Sequence, residues 1–389
     1  MKTIAVLLAF IAMSALRASA ADTTGVTEDK IKIGMFGPIT GPASVFVKSL
    51  YGAAAIYKNV NDSGGINGRK IELVIEDDGC DPNKGIGAVK KLISQDQVFL
   101  LHGAWCSSVA LAVKQEIAKQ PNVPYMVLGA ASAEISDPVM PNLFHPIATT
   151  KTVAEQMVEF ALTKPGAKKI AIISHSDEWG SVHLKAALAK LKEHGLQPVA
   201  TAALERGATG ATAQVLTLKR EQPDVVLAIL YPAELAIYLR EAYKYKLQTA
   251  TIGTQAVSIE DTDKRVGIPA AVKQLYVFYP LSADTTSPEL SKYANIFKKY
   301  YPSESLDTIS FISMGGALAI VDTLRRLGKN VSREAFMAKL NTMSNFKSGI
   351  QSGTLTFNPS NHAGITSGKM VGIVKKKVVV LDRYPVQSD

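Results

Sequence analysis

The sequence predicts an α/β protein with two doubly wound parallel-sheet lobes, which are joined by a hinge and separated by a cleft. Short β-branched runs alternate with longer amphipathic runs, and this alternation is typical of parallel sheets built from βαβ units. The alternation begins again after Asn142. The chain has 389 residues, which is more than one hydrophobic core usually supports. Two domains of the same class are therefore expected.

Each half of the chain contributes its own strands and helices. In the first half, strands are predicted at 31–36, 71–76, 98–102 and 125–128, and helices at 48–61, 82–94 and 107–119. In the second half, strands are predicted at 170–174, 198–203, 225–230, 251–253 and 274–279, and helices at 152–162, 181–193, 211–220 and 233–243. Because strands and helices alternate, both sheets are expected to be mainly parallel.

The last hundred residues break this alternation. Helices are predicted at 288–300, 307–327 and 333–343 without strands between them, followed by short antiparallel strands at 354–357, 371–375 and 378–381. A second α/β lobe does not normally end this way, so we expect the chain to return to the first lobe and cross again. The N-terminal lobe then comprises 28–148 and 281–348, and the C-terminal lobe 149–280 and 349–389. The crossovers are predicted at 147–150, 278–281 and 349–354, and they make a hinged cleft.

The amino terminus carries an export pattern. Lys2 precedes an apolar run at 4–16, and Ala18-Ser19-Ala20 is a small-residue cleavage pattern. We interpret 1–21 as a signal peptide cut near Ala20/Ala21, which places the mature protein in the periplasm. No later stretch reads as long and apolar enough to cross a bilayer, so we expect no membrane-embedded segment.

The charge is positive but diffuse. The chain has 43 Lys and Arg against 34 Asp and Glu, a formal net charge of +9. The only lysine triplet, at 375–377, lies between two predicted strands as a turn. A nucleic-acid site would concentrate such charge among aromatic residues, so no nucleic-acid partner is expected.

Enzyme signatures are missing from the sequence. The six histidines form no ligand-spaced cluster, so neither a metal site nor another cofactor is expected. The segment from Gly364 to Lys369 is too short for a phosphate loop and lacks the following Ser or Thr. No GxSxG nucleophile is present. We therefore expect a protein without catalytic residues.

The chain contains two cysteines, Cys80 and Cys106. Export to an oxidising compartment favours a disulfide between them over two free thiols. In the chain-entropy model, closing a loop of this length stabilises the protein by about 3 kcal/mol.

Several motifs in this order resemble the leucine/isoleucine/valine-type periplasmic binding proteins of ABC importers. They are Ile33-Gly34-Met35-Phe36-Gly37-Pro38-Ile39-Thr40-Gly41-Pro42, Gly64-Gly65-Ile66-Asn67-Gly68, Asp77-Asp78-Gly79-Cys80-Asp81-Pro82, Cys106-Ser107-Ser108, and Thr356-Phe357-Asn358-Pro359 before His362. The resemblance covers nearly the whole mature chain. It implies a type I periplasmic-binding fold, a disulfide in the family's place, and a small ligand held between the lobes for delivery to a permease. We expect a monomer.

The resemblance places a carboxylate site in the first lobe. Ser107 falls where the family has its carboxylate-binding serine, at a predicted helix start whose free amides favour an anion. An N-cap role explains Ser108 equally well. In the next loop the family's threonine is replaced by Ala131, and Ser132 with the backbone of Ala130 can compensate.

The resemblance also supplies aromatic walls. Trp179 matches the family's ligand-packing aromatic, and Tyr231 follows a strand in the same way. Phe46 and Trp105 are candidate walls of the first lobe. A core-packing role is the alternative for each of these side chains.

The most informative departure is Gln255, which stands where amino-acid binders of the family have a glutamate that pairs with the ligand ammonium. Removing one partner of a buried ion pair costs about 3 to 5 kcal/mol. The expected ligand is therefore a small carboxylate without an α-ammonium, which can be aromatic. Asp177, Glu205 or Glu260 could replace the charge, so a branched-chain or other amino acid is the alternative. A ligand-sensing module that signals to a membrane partner is the alternative of another class.

Overall fold

The computed structural model describes residues 21–41, 43–283, 285–374 and 377–381. Four parts of the sequence lie outside the described residues: residues 1–20 of the predicted signal peptide, Pro42 of the first motif, two residues of the lysine triplet, and the end of the predicted second lobe at 382–389.

The strands of the described chain form two sheets. They are β1 Lys30–Gly37, β2 Lys70–Asp77, β3 Leu100–Gly103, β4 Tyr125–Val127, β5 Leu143–Ala148, β6 Ile170–His175, β7 Ala200–Leu204, β8 Val225–Ile229, β9 Ala250–Gly253, β10 Leu275–Tyr279, β11 Ala363–Ile365, β12 Lys369–Val374 and β13 Lys377–Leu381. The first sheet has the order β11-β5-β4-β3-β1-β2 and the second the order β13-β12-β10-β9-β8-β6-β7.

The helices cover these sheets. They are α1 Lys48–Asp62, α2 Pro82–Ser94, α3 Ser107–Ile117, α4 Thr150–Leu162, α5 Glu178–Glu193, α6 Thr212–Arg220, α7 Pro232–Lys244, α8 Ile259–Val266, α9 Pro269–Val272, α10 Pro288–Tyr300, α11 Thr308–Leu327 and α12 Arg333–Leu340. All pairings of the first sheet are parallel, and the second sheet is parallel except for β12 and β13. The predicted architecture of two parallel-sheet lobes is confirmed.

The strand β5 is not among the predicted strands, and it contains Pro146, which cannot donate to a ladder. The structure accommodates Pro146 where the register with β11 shifts between Ala363 and Ile365. The Pro146 carbonyl accepts a hydrogen bond from Nε2 of Gln351 at 2.6 Å. The ladder is irregular at Pro146, which has no N–H to donate. The Gln351 side chain satisfies the Pro146 carbonyl.

The third crossover lies later than predicted. The segment 354–357 is not a strand, since only Leu355 makes an isolated bridge, to Phe346. The chain after residue 349 stays with the first lobe, where β11 pairs with β5. It crosses only between β11 and β12, so the predicted start of the last second-lobe segment at 349 is wrong. The three residues of β11 are too few to show the two-residue hydrophobic period that predicts a strand.

Segments next to the crossovers are hydrogen-bonded to one another. The Ser282 amide donates to the Ile350 carbonyl at 2.7 Å, and the Ser352 amide donates to the Pro280 carbonyl at 2.9 Å. A Cβ on Gly368 would lie 2.1 Å from Cζ of Phe278, so this position requires glycine. The chain segments that connect the two lobes are therefore packed against one another.

The helix α11 corrects a second expectation. It is long and apolar enough to cross a membrane by length and composition, but 67% of its apolar window is buried inside the protein. It packs on α1, where a Cβ on Gly52 would lie 2.0 Å from the Ser310 carbonyl oxygen. We therefore assign α11 to the core of the first lobe.

Candidate ligand-binding cleft

Loops at the carboxyl ends of neighbouring parallel strands carry the candidate residues. In the first sheet these loops follow β1, β3 and β4, and in the second sheet they follow β6, β8 and β9. Open α/β sheets bind ligands at this edge, where the strand order reverses. The topology thus brings the predicted residues of each lobe to one edge of its own sheet.

The first-lobe walls form a stacked pair. The rings of Phe46 and Trp105 have centroids 5.7 Å apart and planes inclined by 24°. A Cβ on Gly129 would lie 2.1 Å from Cε3 of Trp105. Glycine at this position therefore lets the indole lie directly on the loop that follows β4.

Neither serine caps the helix α3. The N-cap position is Cys106, and no side-chain hydrogen bond caps the helix, so the capping role considered for Ser108 is wrong. The Ser107 hydroxyl instead accepts a hydrogen bond from the Ser132 amide at 3.2 Å. The loops after β3 and β4 are thereby joined at the start of α3, where the first amides have no acceptor within the helix.

Ser132 is 5% exposed, and its Oγ has no hydrogen-bond partner among the described residues. Ala130 is fully buried, and its carbonyl is in hydrogen-bond contact with Nε2 of His145 at 2.7 Å. The loop is further fixed by Thr150, whose amide donates to the Ala131 carbonyl at 2.7 Å. Oγ1 of Thr150 accepts from the Ala133 amide at 3.2 Å. The sequence interpretation missed Thr150, because the strand β5 before it was not predicted and the predicted helix begins at 152.

The second-lobe aromatics form a longer stack. Trp179 and Tyr231 have ring centroids 4.4 Å apart at 21°. The ring of His183 lies 4.4 Å from Trp179, and the guanidinium of Arg206 lies 4.7 Å from the Tyr231 centroid. Burial, and then the Asp177 charge, raise the pKa of Tyr231 to about 12, so its phenol stays protonated at neutral pH.

A buried polar group supports this stack. The side chain of His175 is 0% exposed, and its Nε2 accepts a hydrogen bond from the Tyr231 amide at 3.1 Å. Burial lowers the pKa of His175, so the ring is neutral and its proton is on Nδ1. Glu234 lies 3.6 Å from the same Nε2 and accepts from the Gly207 amide at 2.7 Å. His175, Arg206 and Glu234 were missed, because nothing in their spacing brings them together.

Gln255 follows β9 and is half-buried, and its Oε1 has no partner within the described parts of the chain. Of the acids considered as a replacement charge, Asp177 caps α5 by accepting from the Gly180 amide at 2.9 Å. It also lies 3.5 Å from Nη2 of Arg206. Asp177 is therefore already paired with a cation, while Glu205 and Glu260 are exposed.

A cavity of about 520 Å³ lies between the lobes. Its second-lobe side includes Glu260 and Val379, and its first-lobe side includes Leu306 and Thr308. None of the eight predicted ligand residues lines it. The described structure brings Phe46 to Trp105, Ser107 to Ser132 and Trp179 to Tyr231, whereas the cavity is lined by other residues, at the start of α8 and along β12 and β13.

The chain resembles known proteins over most of its length. The family model described as periplasmic binding protein matches residues 30–377. The Leu/Ile/Val-binding protein homolog 7 of Brucella abortus is 28% identical over 331 residues, which cover 82% of this chain and 81% of that protein. An amino acid binding protein of Pseudomonas aeruginosa is 25% identical over 245 residues, covering 62% of this chain and 65% of that protein.

Solved structures share the fold. An ABC transporter substrate-binding protein from Sphaerobacter thermophilus superposes with a TM-score of 0.77 at 20% identity, covering 91% of this chain and 96% of that one. A solute-binding protein of R. palustris in complex with 4-hydroxybenzoate has a TM-score of 0.73 at 20% identity, with the same coverage. These likenesses confirm the type I periplasmic-binding fold. The chain belongs to the periplasmic binding protein family, whose members bind solutes and are not enzymes.

Proposed function

We propose that this protein is the solute-binding component of an ABC importer and captures a small carboxylate without an α-ammonium group, with aromatic acids as the favoured class. The carrying observation is the neutral side chain of Gln255, whose Oε1 has no partner among the described residues. The resemblance places at this position the acid that pairs with a ligand ammonium, and Asp177, beside the aromatic stack, is already paired with Arg206 at 3.5 Å. An ammonium placed beside Gln255 would meet a neutral amide instead of a carboxylate.

The first lobe suits a carboxylate. A helix start presents free amides with partial positive charge, and here α3 starts beside the Ser132 hydroxyl, which is buried and unpartnered among the described residues. A ligand oxygen that accepts from this hydroxyl would satisfy it. The ligand is therefore oriented with its carboxylate toward Ser107 and Ser132 and its distal end toward Trp179 and Tyr231.

A branched-chain amino acid is the second candidate. The name of the Brucella relative favours it, as does a fold neighbour from Streptococcus pneumoniae solved with isoleucine, which has a TM-score of 0.74 at 17% identity and covers 91% of this chain and 99% of that one. The 4-hydroxybenzoate complex of the R. palustris protein supports the aromatic-acid class on the same fold.

Titration calorimetry with benzoate, 4-hydroxybenzoate, isovalerate, leucine, isoleucine and valine separates the candidates. We expect the acids to bind at least about 100-fold more tightly than the amino acids, because an unpaired buried ammonium costs about 3 to 5 kcal/mol. Ser132→Ala should weaken the acids about tenfold, since it removes one hydrogen bond to a charged group. Tight binding of leucine would return the protein to the amino-acid class.

Ser108→Ala is the matched control for Ser132→Ala. Ser108 is exposed in the first turn of α3, so its loss leaves the proposed site intact. Equal weakening by both variants would show that Ser132 acts on the fold and not on the ligand.

Export belongs to the same proposal. The family is periplasmic, and we place the cleavage near Ala20/Ala21. Intact-mass measurement of protein from the periplasm should give a mature chain that begins near Ala21. Uptake of the bound acid should be lost when the gene for the associated permease is deleted. Retention of uptake would contradict the importer role.

A further inference from the structure

We infer that Arg206 is a specificity-determining residue that selects ligands whose distal end carries a hydrogen-bond acceptor or a second negative charge. The inference rests on the proposed function and narrows it, from small carboxylates in general to hydroxy-aromatic acids and aromatic dicarboxylates. It arises from the order of groups in the second-lobe stack.

The rings expected to pack on the ligand already contact other protein groups. The Trp179 ring has its centroid 4.4 Å from that of the buried His183 and 4.4 Å from that of Tyr231. Tyr231 carries both Trp179 and the guanidinium of Arg206, the latter 4.7 Å from its centroid. The side chain of Arg206 is 67% exposed, so it is the outermost group of the stack. A ligand that approaches the stack from solvent can therefore contact this guanidinium.

The loop that carries Arg206 is fixed by a buried carboxylate. Glu234 is only 4% exposed, and its Oε1 accepts the amide of Gly207 at 2.7 Å. Gly207 has a φ of +78°, a conformation that favours glycine. Asp177 lies 3.5 Å from Nη2 on the other side. A buried carboxylate, a glycine turn and an ion pair thus position one exposed guanidinium over Tyr231.

The N–H donors of the Arg206 guanidinium determine which distal group of the ligand is preferred. Arginine has five N–H donors in a planar fork, of which Nη2 lies 3.5 Å from Asp177, and the Tyr231 side chain also interacts with the guanidinium. An apolar distal end would cover the remaining donors without pairing them, which is unfavourable. A hydroxyl or carboxylate oxygen accepts from them, and a carboxylate does so with two parallel bonds. Benzoate should therefore bind more weakly than 4-hydroxybenzoate or terephthalate.

The test measures dissociation constants by calorimetry for benzoate, 4-hydroxybenzoate and terephthalate, with the wild-type protein and Arg206→Gln. In the wild type we expect the two distal-acceptor ligands to bind at least about tenfold more tightly than benzoate. In Arg206→Gln this ratio should fall to about threefold or less, with benzoate itself little affected. Arg206→Lys should give an intermediate ratio for terephthalate, because lysine keeps the charge without the fork.

Arg220→Gln is the matched control. Arg220 belongs to the same lobe, is 74% exposed and pairs with Glu221 at 2.9 Å, but it ends α6, at the opposite edge of the sheet from the cleft. Glu234→Ala tests the positioning role, and it should lower the selectivity ratio as Arg206→Gln does while Arg206 itself remains. Thermal melting verifies that each variant is folded.

The outcomes separate the two proposals. If the acids bind but the ratio is the same in wild type and Arg206→Gln, the role of Arg206 is wrong and the proposed function stands. If none of the carboxylates binds, the proposed function fails and takes the Arg206 inference with it. If Arg220→Gln lowers the ratio equally, the selectivity comes from the overall charge of the lobe, and the inference is overturned.

Discussion

Asp78 is a buried carboxyl group next to the disulfide. Its side chain is 0% exposed, one oxygen accepts from the Cys80 amide at 2.8 Å, and the other has no partner in the described residues. Burial, assisted by the charge of Asp77, raises the pKa of Asp78 to about 6. The protein binds this proton more tightly when folded, so the stabilisation is present below about pH 4 and is lost as pH rises through about 6.

Replacing the carboxyl with an amide should therefore stabilise the protein at neutral pH. In Asp78→Asn the amide oxygen can still accept from Cys80, while the buried charge is removed. We expect the free energy of unfolding to rise by about 1 to 3 kcal/mol at pH 7.5 and to change little at pH 3. Urea unfolding at both pH values measures this. Glu193→Gln, at a side chain that is 62% exposed, is the control. An equal gain at both pH values would exclude titration of Asp78 as the cause.

At the scale of elements, the disulfide joins the loop after β2 to the start of α3. Cys80 and Cys106 are bonded in the structure, with a sequence separation of 26. We expect the double variant Cys80→Ser and Cys106→Ser to lose about 3 kcal/mol of unfolding free energy. It should also bind the ligand more weakly, because Cys106 immediately precedes the predicted carboxylate site. Urea unfolding and calorimetry measure the two effects, and wild-type protein in reductant should reproduce both.

Mass spectrometry without reduction is the direct measurement of this bond. Protein from the periplasm should be lighter than its reduced form by two hydrogen atoms. Two free thiols in such material would overturn the pairing.

At the scale of the whole molecule, we expect ligand binding to close the cleft. The lobes are connected through β5 to α4, through the segment after β10, and between β11 and β12. Few residues need to change conformation when hinged lobes close. Small-angle scattering should show a smaller radius of gyration at saturating ligand than in its absence. Ser132→Ala at a ligand concentration that no longer saturates it should show a smaller change. Identical curves for free and saturated wild-type protein would contradict the hinge.

Local patterns were sufficient for most of this fold. The strands β1, β2, β4, β6 and β8 and the long helices of both lobes show their own hydrophobic period, so their positions follow from nearby residues. The candidate loops follow from the same reasoning, because carboxyl ends of parallel strands share an edge. The cysteine pair needed only the count of cysteines and an exported chain.

The tertiary structure alone decided the features that depend on distant residues. Strand β11 exists only because it pairs with β5. Three residues are too few to show the alternation of apolar and polar side chains that predicts a strand. Distant residues also place Arg206, which lies over Tyr231 because Glu234 holds the neighbouring Gly207. The sequence by itself determined the class of the protein, the two lobes and the sheet edges where the candidate residues lie, since these depend on local periodicity and ordered motifs. Which polar groups meet at those edges depends on packing between distant segments, and only the folded chain brings them together.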